Sequence, residues 1–322
     1  SSAASDVYKR QGLKMISTGR CLPWRSVTNK DMSELVETND EWIFSRTGIR
    51  TRRFCGEETA ADLSAGAAQQ AMERAGIRPE ELGACVVCTI TPDYLAPSEA
   101  CLLQRRLGLP EDIPCFDLNA GCTGFLYGLQ VIRGLLLQSP RRYALLIGAE
   151  VLSRITDFAD RSTCVLFGDG AGAAVLTLEE QAVWASTLGA RGEEEAILVP
   201  GPGQEARPYI KMDGQKVFRF AVEAIPRCIE ELLGRTGLEL EDIDWFVPHQ
   251  ANRRIIDHVA KKLCLPEGRF YQNMERYGNT SAASIPIALD EMAESGLLLR
   301  GQKVMCIGFG AGLTWGGALL EW

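Results

Sequence analysis

Along most of the chain, short apolar runs alternate with longer stretches in which apolar side chains recur every three or four residues. An unbroken apolar run or a period of two marks a strand, and a period near 3.6 marks one face of a helix. On this reading strands lie at 84–90, 143–148, 172–178, 244–247, 303–309 and 316–321, and helices near 98–107, 123–137, 217–233, 253–264 and 281–294. Two capping boxes sharpen the helix starts. Thr28-x-x-Asp31 opens a short helix, and Thr59-x-x-Asp62 opens one from about Ala60 to Ala75 that stops at Gly76. Such alternation predicts a layered α/β fold with buried sheets. Residues 1–11 are polar and precede the first apolar alternation at 13–18, so they read as a tail outside the fold.

The pattern also repeats at a lag of roughly 160 residues. Pro79-Glu80-Glu81-Leu82 is echoed by Leu240-Glu241-Asp242-Ile243, and Ala144-Leu145-Leu146-Ile147-Gly148 by Val304-Met305-Cys306-Ile307-Gly308. Gly168-Asp169-Gly170-Ala171-Gly172 is echoed by Gly308-Phe309-Gly310-Ala311-Gly312. Two related halves follow, 12–180 and 181–322. The lag is too long and the copies too few for a solenoid or propeller.

Composition narrows the class. With 322 residues, 46% hydrophobic and 24% charged, the chain is too apolar for disorder and can bury a large core. The 34 basic and 42 acidic residues leave a net charge of -8, so no global basic field exists to hold a polyanion, and nucleic acid is not an expected partner. Apolar runs such as Leu135-Leu136-Leu137 fall far short of the roughly 20 residues that span a bilayer, so a soluble protein with no membrane partner is expected. The 11 cysteines are odd in number and lie within apolar runs, which points to a reduced, cytoplasmic setting. Cys85 and Cys88 have no second pair at ligand spacing, and positions three apart on a strand point to opposite faces. They are therefore expected in the core, with no metal bound.

Three short segments combine small residues with one reactive side chain. Asn119-Ala120-Gly121-Cys122-Thr123-Gly124-Phe125 joins a strand to a helix, where unpaired N–H groups and the positive helix end favour a thiolate. Its flanking glycines would admit a bulky thioester; the plainer alternative is one more small buried thiol. Val247-Pro248-His249-Gln250-Ala251-Asn252 places one of only two histidines at a strand end, whereas His258 falls within a helix as a solvated or satisfied side chain. Tyr277-Gly278-Asn279-Thr280-Ser281-Ala282-Ala283-Ser284 leads into another helix, and spacing alone favours an ordinary N-cap for Asn279. Cys, His and Asn are nevertheless the set that thioester chemistry requires: a soft nucleophile and two donors for a developing oxyanion. The glycine strings lack phosphate-binding spacing and read as tight turns near a site.

With these segments assembled, the chain resembles the β-ketoacyl-acyl-carrier-protein synthase III family of the thiolase superfamily over about 13–322. The further matches are Thr38-Asn39-Asp40-Glu41-Trp42-Ile43, Arg46-Thr47-Gly48-Ile49-Arg50, Asp160-Arg161 before Phe167-Gly168-Asp169, and Gly308 through Gly312 with Leu313-Thr314-Trp315-Gly316. The resemblance implies a duplicated five-layer α-β-α-β-α thiolase-like fold, a homodimer, and a ping-pong reaction that initiates fatty acid synthesis. Cys122 would take the acyl group from acyl-CoA, and malonyl-carrier protein would then lose CO2 and attack it. His249 and Asn279 would donate to the malonyl thioester oxygen, the amides of Cys122 and Ala311 would form the oxyanion hole, and Trp42, Arg46 and Arg161 would bind CoA, with the adenine between Trp42 and Arg161. No cofactor beyond the CoA thioester substrate is implied.

The same resemblance addresses partner and primer. Arg253, Arg254, Lys261 and Lys262 crowd one expected helix, with Arg254 and Lys261 two turns apart on one face, and Arg219 matches another carrier-protein docking position; a solvated basic face is the simpler alternative. Ala96 stands where short-primer members carry an aromatic ring that closes the partner subunit's acyl pocket, so a longer primer is expected. Cys306 stands where thiolases carry a second catalytic cysteine, which leaves open a non-decarboxylating, thiolase-like condensation; a core position is the alternative. A secondary-metabolism acyltransferase with another acceptor would use the same three residues, and a non-catalytic scaffold would be expected to have lost them.

Overall fold

The computed structural model describes residues 11–201, 203–266 and 268–322, and its two main sheets follow one plan. The first holds β1 (Gln11–Cys21), β2 (Leu82–Cys88), β3 (Cys115–Leu118), β4 (Tyr143–Glu150) and β5 (Gly170–Glu180) in the spatial order β1-β5-β4-β2-β3. The second holds β6 (Trp184–Ala190), β7 (Trp245–Pro248), β8 (Lys303–Gly310) and β9 (Thr314–Glu321) in the order β6-β9-β8-β7. In each, the two inner pairings around the long central strand are one parallel and one antiparallel: β4 with β2 and β5, β8 with β7 and β9. The counterpart of β3 shrinks to a single bridge between Phe246 and Phe270. The tail expected at 1–11 lies outside the described residues except for Gln11, which opens β1.

Alternation along the central strands sets the layers. Ala84, Val86 and Cys88 of β2 and Val304 and Cys306 of β8 share one interior cluster, packed around α3 (Gly124–Leu136) and α6 (Ser284–Glu294). Cys85 and Val87 face away from it, toward α1 (Ala60–Ala75) and α2 (Glu99–Leu107). Met305 and Ile307 face α4 (Gly214–Thr236) and α5 (Arg253–Lys262). The result is five layers, α-β-α-β-α, with two helices enclosed between two sheets. Cys85 and Cys88 thus lie in different clusters, as positions three apart on a strand must.

The central helices begin differently from the sequence pattern. Each is preceded by a 3-10 turn, Gly121–Thr123 before α3 and Ser281–Ala283 before α6, and the two turns pack against each other beside the end of β4. Helical periodicity does not distinguish a 3-10 turn from a first α-helical turn, so both helices were expected to start earlier. The two glycine strings are also not equivalent. Gly168–Gly172 runs into β5, whereas Gly308–Gly310 closes β8; Glu150 pairs with Gly170 at one strand end and Gly310 with Thr314 at the other. In structural terms Gly310 corresponds to Glu150.

Candidate active site

The turn bearing Cys122 is tied to the end of β8 by a close backbone approach. A Cβ at Gly310 would lie 2.8 Å from the Cys122 nitrogen, so no larger residue fits there without displacing the turn. Gly121 sits at φ +52, a left-handed conformation that glycine adopts freely, and a Cβ there would lie 3.3 Å from the Ala311 nitrogen. Gly121 N–H is taken by Asn119 Oδ1 and Thr123 N–H by Ala120 O. Among the described residues, the Cys122 and Ala311 amides have no such partner.

Cys122 differs from the expected thiolate. Its side chain keeps some exposure, but removal from bulk water pushes the thiol up to about 11, with Glu150 adding to the rise and Ser281 opposing it. The start of α3 provides too little positive potential to overcome that burial. The resting nucleophile is a neutral thiol.

His249 follows β7, where its N–H donates to Ile307 O at 2.7 Å. The ring is 2% exposed and packs edge-on against Phe309. Burial holds the imidazole down to about 3, so it stays neutral. Its partner is Ser284 at the start of α6: Ser284 Oγ accepts the Gln250 N–H at 3.3 Å and lies 2.7 Å from Nδ1. In the tautomer where the Ser284 hydroxyl donates to Nδ1, the ring proton sits on Nε2.

Asn279 is not the N-cap that its spacing suggested. It sits in an extended crossing where its N–H donates to Leu166 O at 2.8 Å and its carbonyl accepts from Gly168 at 2.9 Å. Its side-chain Oδ1 accepts the Ser281 N–H at 2.9 Å, which orients Nδ2 as the free donor of the amide.

The structure brings these three together. Cys122, His249 and Asn279 line one cavity of about 270 Å³ with Phe309, Gly310, Trp42 and Arg46. Arg46 is exposed and Trp42 half-buried, which places them at the open end. Trp42 and Arg161 are neighbours, but in direct contact: the Arg161 guanidinium carbon is 4.7 Å from the Trp42 ring centroid, and that of Arg46 is 5.2 Å away. Arg161 also donates to Glu37 O at 2.8 Å. Arg219, Arg254, Lys261 and Lys262 are exposed on α4 and α5, whose first turns reach the cavity through Val217, Phe218 and Ile255. Arg253 instead packs over Phe44. Ala96 is exposed and outside the cavity of this chain, within the exposed stretch Tyr94-Leu95-Ala96-Pro97. Cys306 lies in the interior cluster, away from the cavity, with its thiol pushed up to about 12 by burial.

Ser284, Ser281, Phe309 and Glu150 went unassigned in the sequence. Serines are frequent before helices, and Phe309 resembles any strand-end aromatic. Glu150 alone left a signal, an acid closing an otherwise apolar strand.

Comparison with known proteins supplies the remaining observation. The family described as 3-oxoacyl-[acyl-carrier-protein (ACP)] synthase III matches 116–192, and its C-terminal counterpart matches 233–322. A β-ketoacyl-[acyl-carrier-protein] synthase III of Clostridium tetani is 44% identical over 333 aligned positions, covering 98% of this chain and 99% of its own. The crystal structure of 3-oxoacyl-[acyl-carrier-protein] synthase III from Aquifex aeolicus has a TM-score of 0.91 at 42% identity, covering 97% of this chain and 100% of that one. The priming β-ketosynthase of the R1128 polyketide pathway has a TM-score of 0.91 at 35% identity, covering 97% and 96%.

Proposed function

The chain belongs to the 3-oxoacyl-[acyl-carrier-protein] synthase III family, and from that premise we propose that it condenses an acyl-CoA primer with malonyl-carrier protein, releasing CO2 and initiating fatty acid synthesis. The observation that carries this reading is the convergence of Cys122, His249 and Asn279 on one cavity. Cys122 attacks the acyl thioester, and the amides of Cys122 and Ala311 hold the oxyanion while CoA leaves. Malonyl thioester then occupies the same cavity. As CO2 departs, the enolate oxygen gathers charge, and His249 Nε2–H and Asn279 Nδ2–H donate to it. The carbanion attacks the acyl-Cys122 carbonyl, and the new carbon–carbon bond releases the sulfur. A neutral His249 suits this role, because it donates a hydrogen bond without surrendering its proton. Incubating the protein with labelled acyl-CoAs and then malonyl-carrier protein tests the reading; the expected product is a 3-oxoacyl-carrier protein, and no labelled product with any primer would reject it.

CoA enters past Trp42 and Arg46. Adenine stacks between Trp42 and Arg161, which separate to admit it. The chain acts in the cytoplasm, consistent with its 11 free cysteines, and among the described residues no helix is long and apolar enough to cross a membrane. A homodimer is supported by Tyr94 and Leu95, 59% and 82% exposed, which line a second depression together with Gly121 of the nucleophile turn and the neighbouring Ala311.

The acidic carrier protein docks on the exposed cations Arg219, Arg254, Lys261 and Lys262 near the cavity mouth. The double variant Arg254→Glu, Lys261→Glu is expected to raise KM for malonyl-carrier protein about tenfold at low salt, less at high salt, and to leave acyl-CoA loading nearly unchanged. A KM insensitive to the substitutions and to salt would remove this surface from the account.

Ala96 of one subunit leaves apolar room at the far end of the partner's acyl pocket. Each added primer methylene buried there contributes about 0.8 kcal/mol, so octanoyl-CoA is expected to be used at least as well as acetyl-CoA. Ala96→Phe should return the preference to acetyl-CoA. A wild-type kcat/KM that falls steadily from acetyl to octanoyl contradicts this assignment. The polyketide-priming reading has no residue in its favour beyond the shared cavity, and the core position of Cys306 argues against a thiolase-like second cysteine.

A further inference from the structure

If Cys122 carries the acyl group, as the proposed function requires, its thiol must lose a proton in surroundings that oppose its ionisation. His249 is a poor acceptor for that proton, since its ring is held neutral and Nδ1 is engaged by Ser284. A better acceptor stands behind the nucleophile. Glu150, the last residue of β4, is fully buried. Its Oε2 accepts from Thr91 Oγ1 at 2.6 Å, Ile90 N–H at 3.2 Å and Thr89 Oγ1 at 3.3 Å. Its Oε1 is buried without a hydrogen bond, and so is the Ser281 hydroxyl.

These two orphaned groups belong to one line of contact. The Ser281–Ala283 turn packs against both the Cys122 turn and the end of β4, and the Ser281 side chain bears on the ionisation of Glu150 and of Cys122 without a hydrogen bond of full geometry to either. Buried polar atoms are nearly always paired, so two loose ones on elements that pack together beside a nucleophile call for a reason. The backbone adds a second sign. Ser281 is held at φ 48, a left-handed conformation uncommon for a residue with a side chain, and Asn279 Oδ1 fixes it there through the Ser281 N–H. Contacts of this kind tighten when substrate completes the site.

We propose that the Glu150 carboxylate, acting through the Ser281 hydroxyl, receives the proton that Cys122 releases as it attacks the acyl thioester. The Cys122 proton passes to Ser281 Oγ while the Ser281 hydroxyl proton passes to Glu150 Oε1. The Cys122 sulfur forms its bond to the acyl carbon, and the bond from that carbon to the CoA sulfur breaks. The Ser281 hydroxyl then gives its proton to the departing CoA sulfur and recovers one from Glu150, so one thioester and one thiol replace another pair with no oxidant, reductant or net charge. Burial pushes the Glu150 carboxyl up to about 7, where it is partly ionised at neutral pH yet basic enough to serve. The other titratable groups bearing on it are the Cys122 and Cys88 thiols. Asp169, beside the strand partner of Glu150, is engaged by Ser153 and the Cys55 N–H.

The test is the pH dependence of two reactions of Cys122 in the full-length protein: single-turnover loading from acyl-CoA, and alkylation by iodoacetamide, both read by peptide mass spectrometry. In wild type both rates should rise with pH through an inflection near 7, because the carboxyl accepts a proton only when ionised. Glu150→Gln should abolish that inflection and slow loading about 100-fold at neutral pH. Ser281→Ala, which leaves the carboxyl in place, should do the same, and the double variant should be no slower than either alone. A loading rate within about twofold of wild type, with the inflection kept, in whichever of these variants folds would overturn the relay. Because alkylation needs no acyl-CoA, it judges the relay even if no acyl adduct forms, an outcome that counts against the proposed function instead.

Discussion

Cys122→Ala is expected to reduce condensation by about 10⁴-fold or more while malonyl-carrier protein continues to lose CO2. The variant removes the sulfur that forms the covalent intermediate but leaves both donors of the enolate site, His249 held through Ser284 and Asn279 held through Ser281. Counting released CO2 against 3-oxoacyl product separates the two. Condensation that persisted in Cys122→Ala would mean that the acyl group reaches the carbanion without passing through this residue.

The mirror-image result is expected from the donors. His249→Ala and Asn279→Ala should each slow malonyl decarboxylation about 100- to 1000-fold, the usual effect of deleting one donor to a developing oxyanion. Transfer of the acyl group onto Cys122 should stay within about tenfold of wild type, since its oxyanion is held by backbone amides. The pH profile carries an independent sign. An imidazole held down to about 3 remains neutral throughout the working range, so the contribution of His249 to decarboxylation should not change from about pH 5 to about pH 9. A loss of rate as pH rises through about 6.5, following imidazole deprotonation, would show that the charged form is required. Equal damage to both half-reactions in His249→Ala would show that the two functions are not divided between these residues.

Much of this arrangement was legible in the chain because period and chemistry coincided. The helix at Ala60–Ala75 matched its capping box and terminal Gly76 residue for residue. The long buried strands declared themselves by unbroken apolar runs, as in Leu82–Cys88. Edge and connecting strands did not. Trp184–Ala190 mixes small and polar residues, and Cys115–Leu118 is too short to show a period. Helix α4 was expected to be shorter, yet it runs from Gly214 through Pro226 to Thr236, its buried stripe outweighing the hydrogen bond that proline forgoes.

The site was legible as a set of residue types but not as a set of ionisation states. Cysteine at a glycine-flanked helix start suggested a thiolate, and burial reversed it. Asparagine before a helix suggested a cap, and the crossing to Leu166 and Gly168 gave it a different task. Both errors share a cause: local sequence carries the nearest helix but not the depth of burial or the strand that crosses from the other half. Ser284 was invisible for the same reason, and Glu150 showed only as an acid closing an apolar strand, since each acts only through a neighbour far away in sequence.

In the proposed reaction a single thiol, Cys122, holds the growing chain between two half-reactions. The direct measurement is peptide mapping by mass spectrometry after wild-type protein is mixed with acyl-CoA in the absence of malonyl-carrier protein. One acyl group per chain is expected, on the peptide containing Cys122, that disappears when malonyl-carrier protein is added. An adduct on Cys306, or one on Cys122 that malonyl-carrier protein fails to discharge, would contradict it.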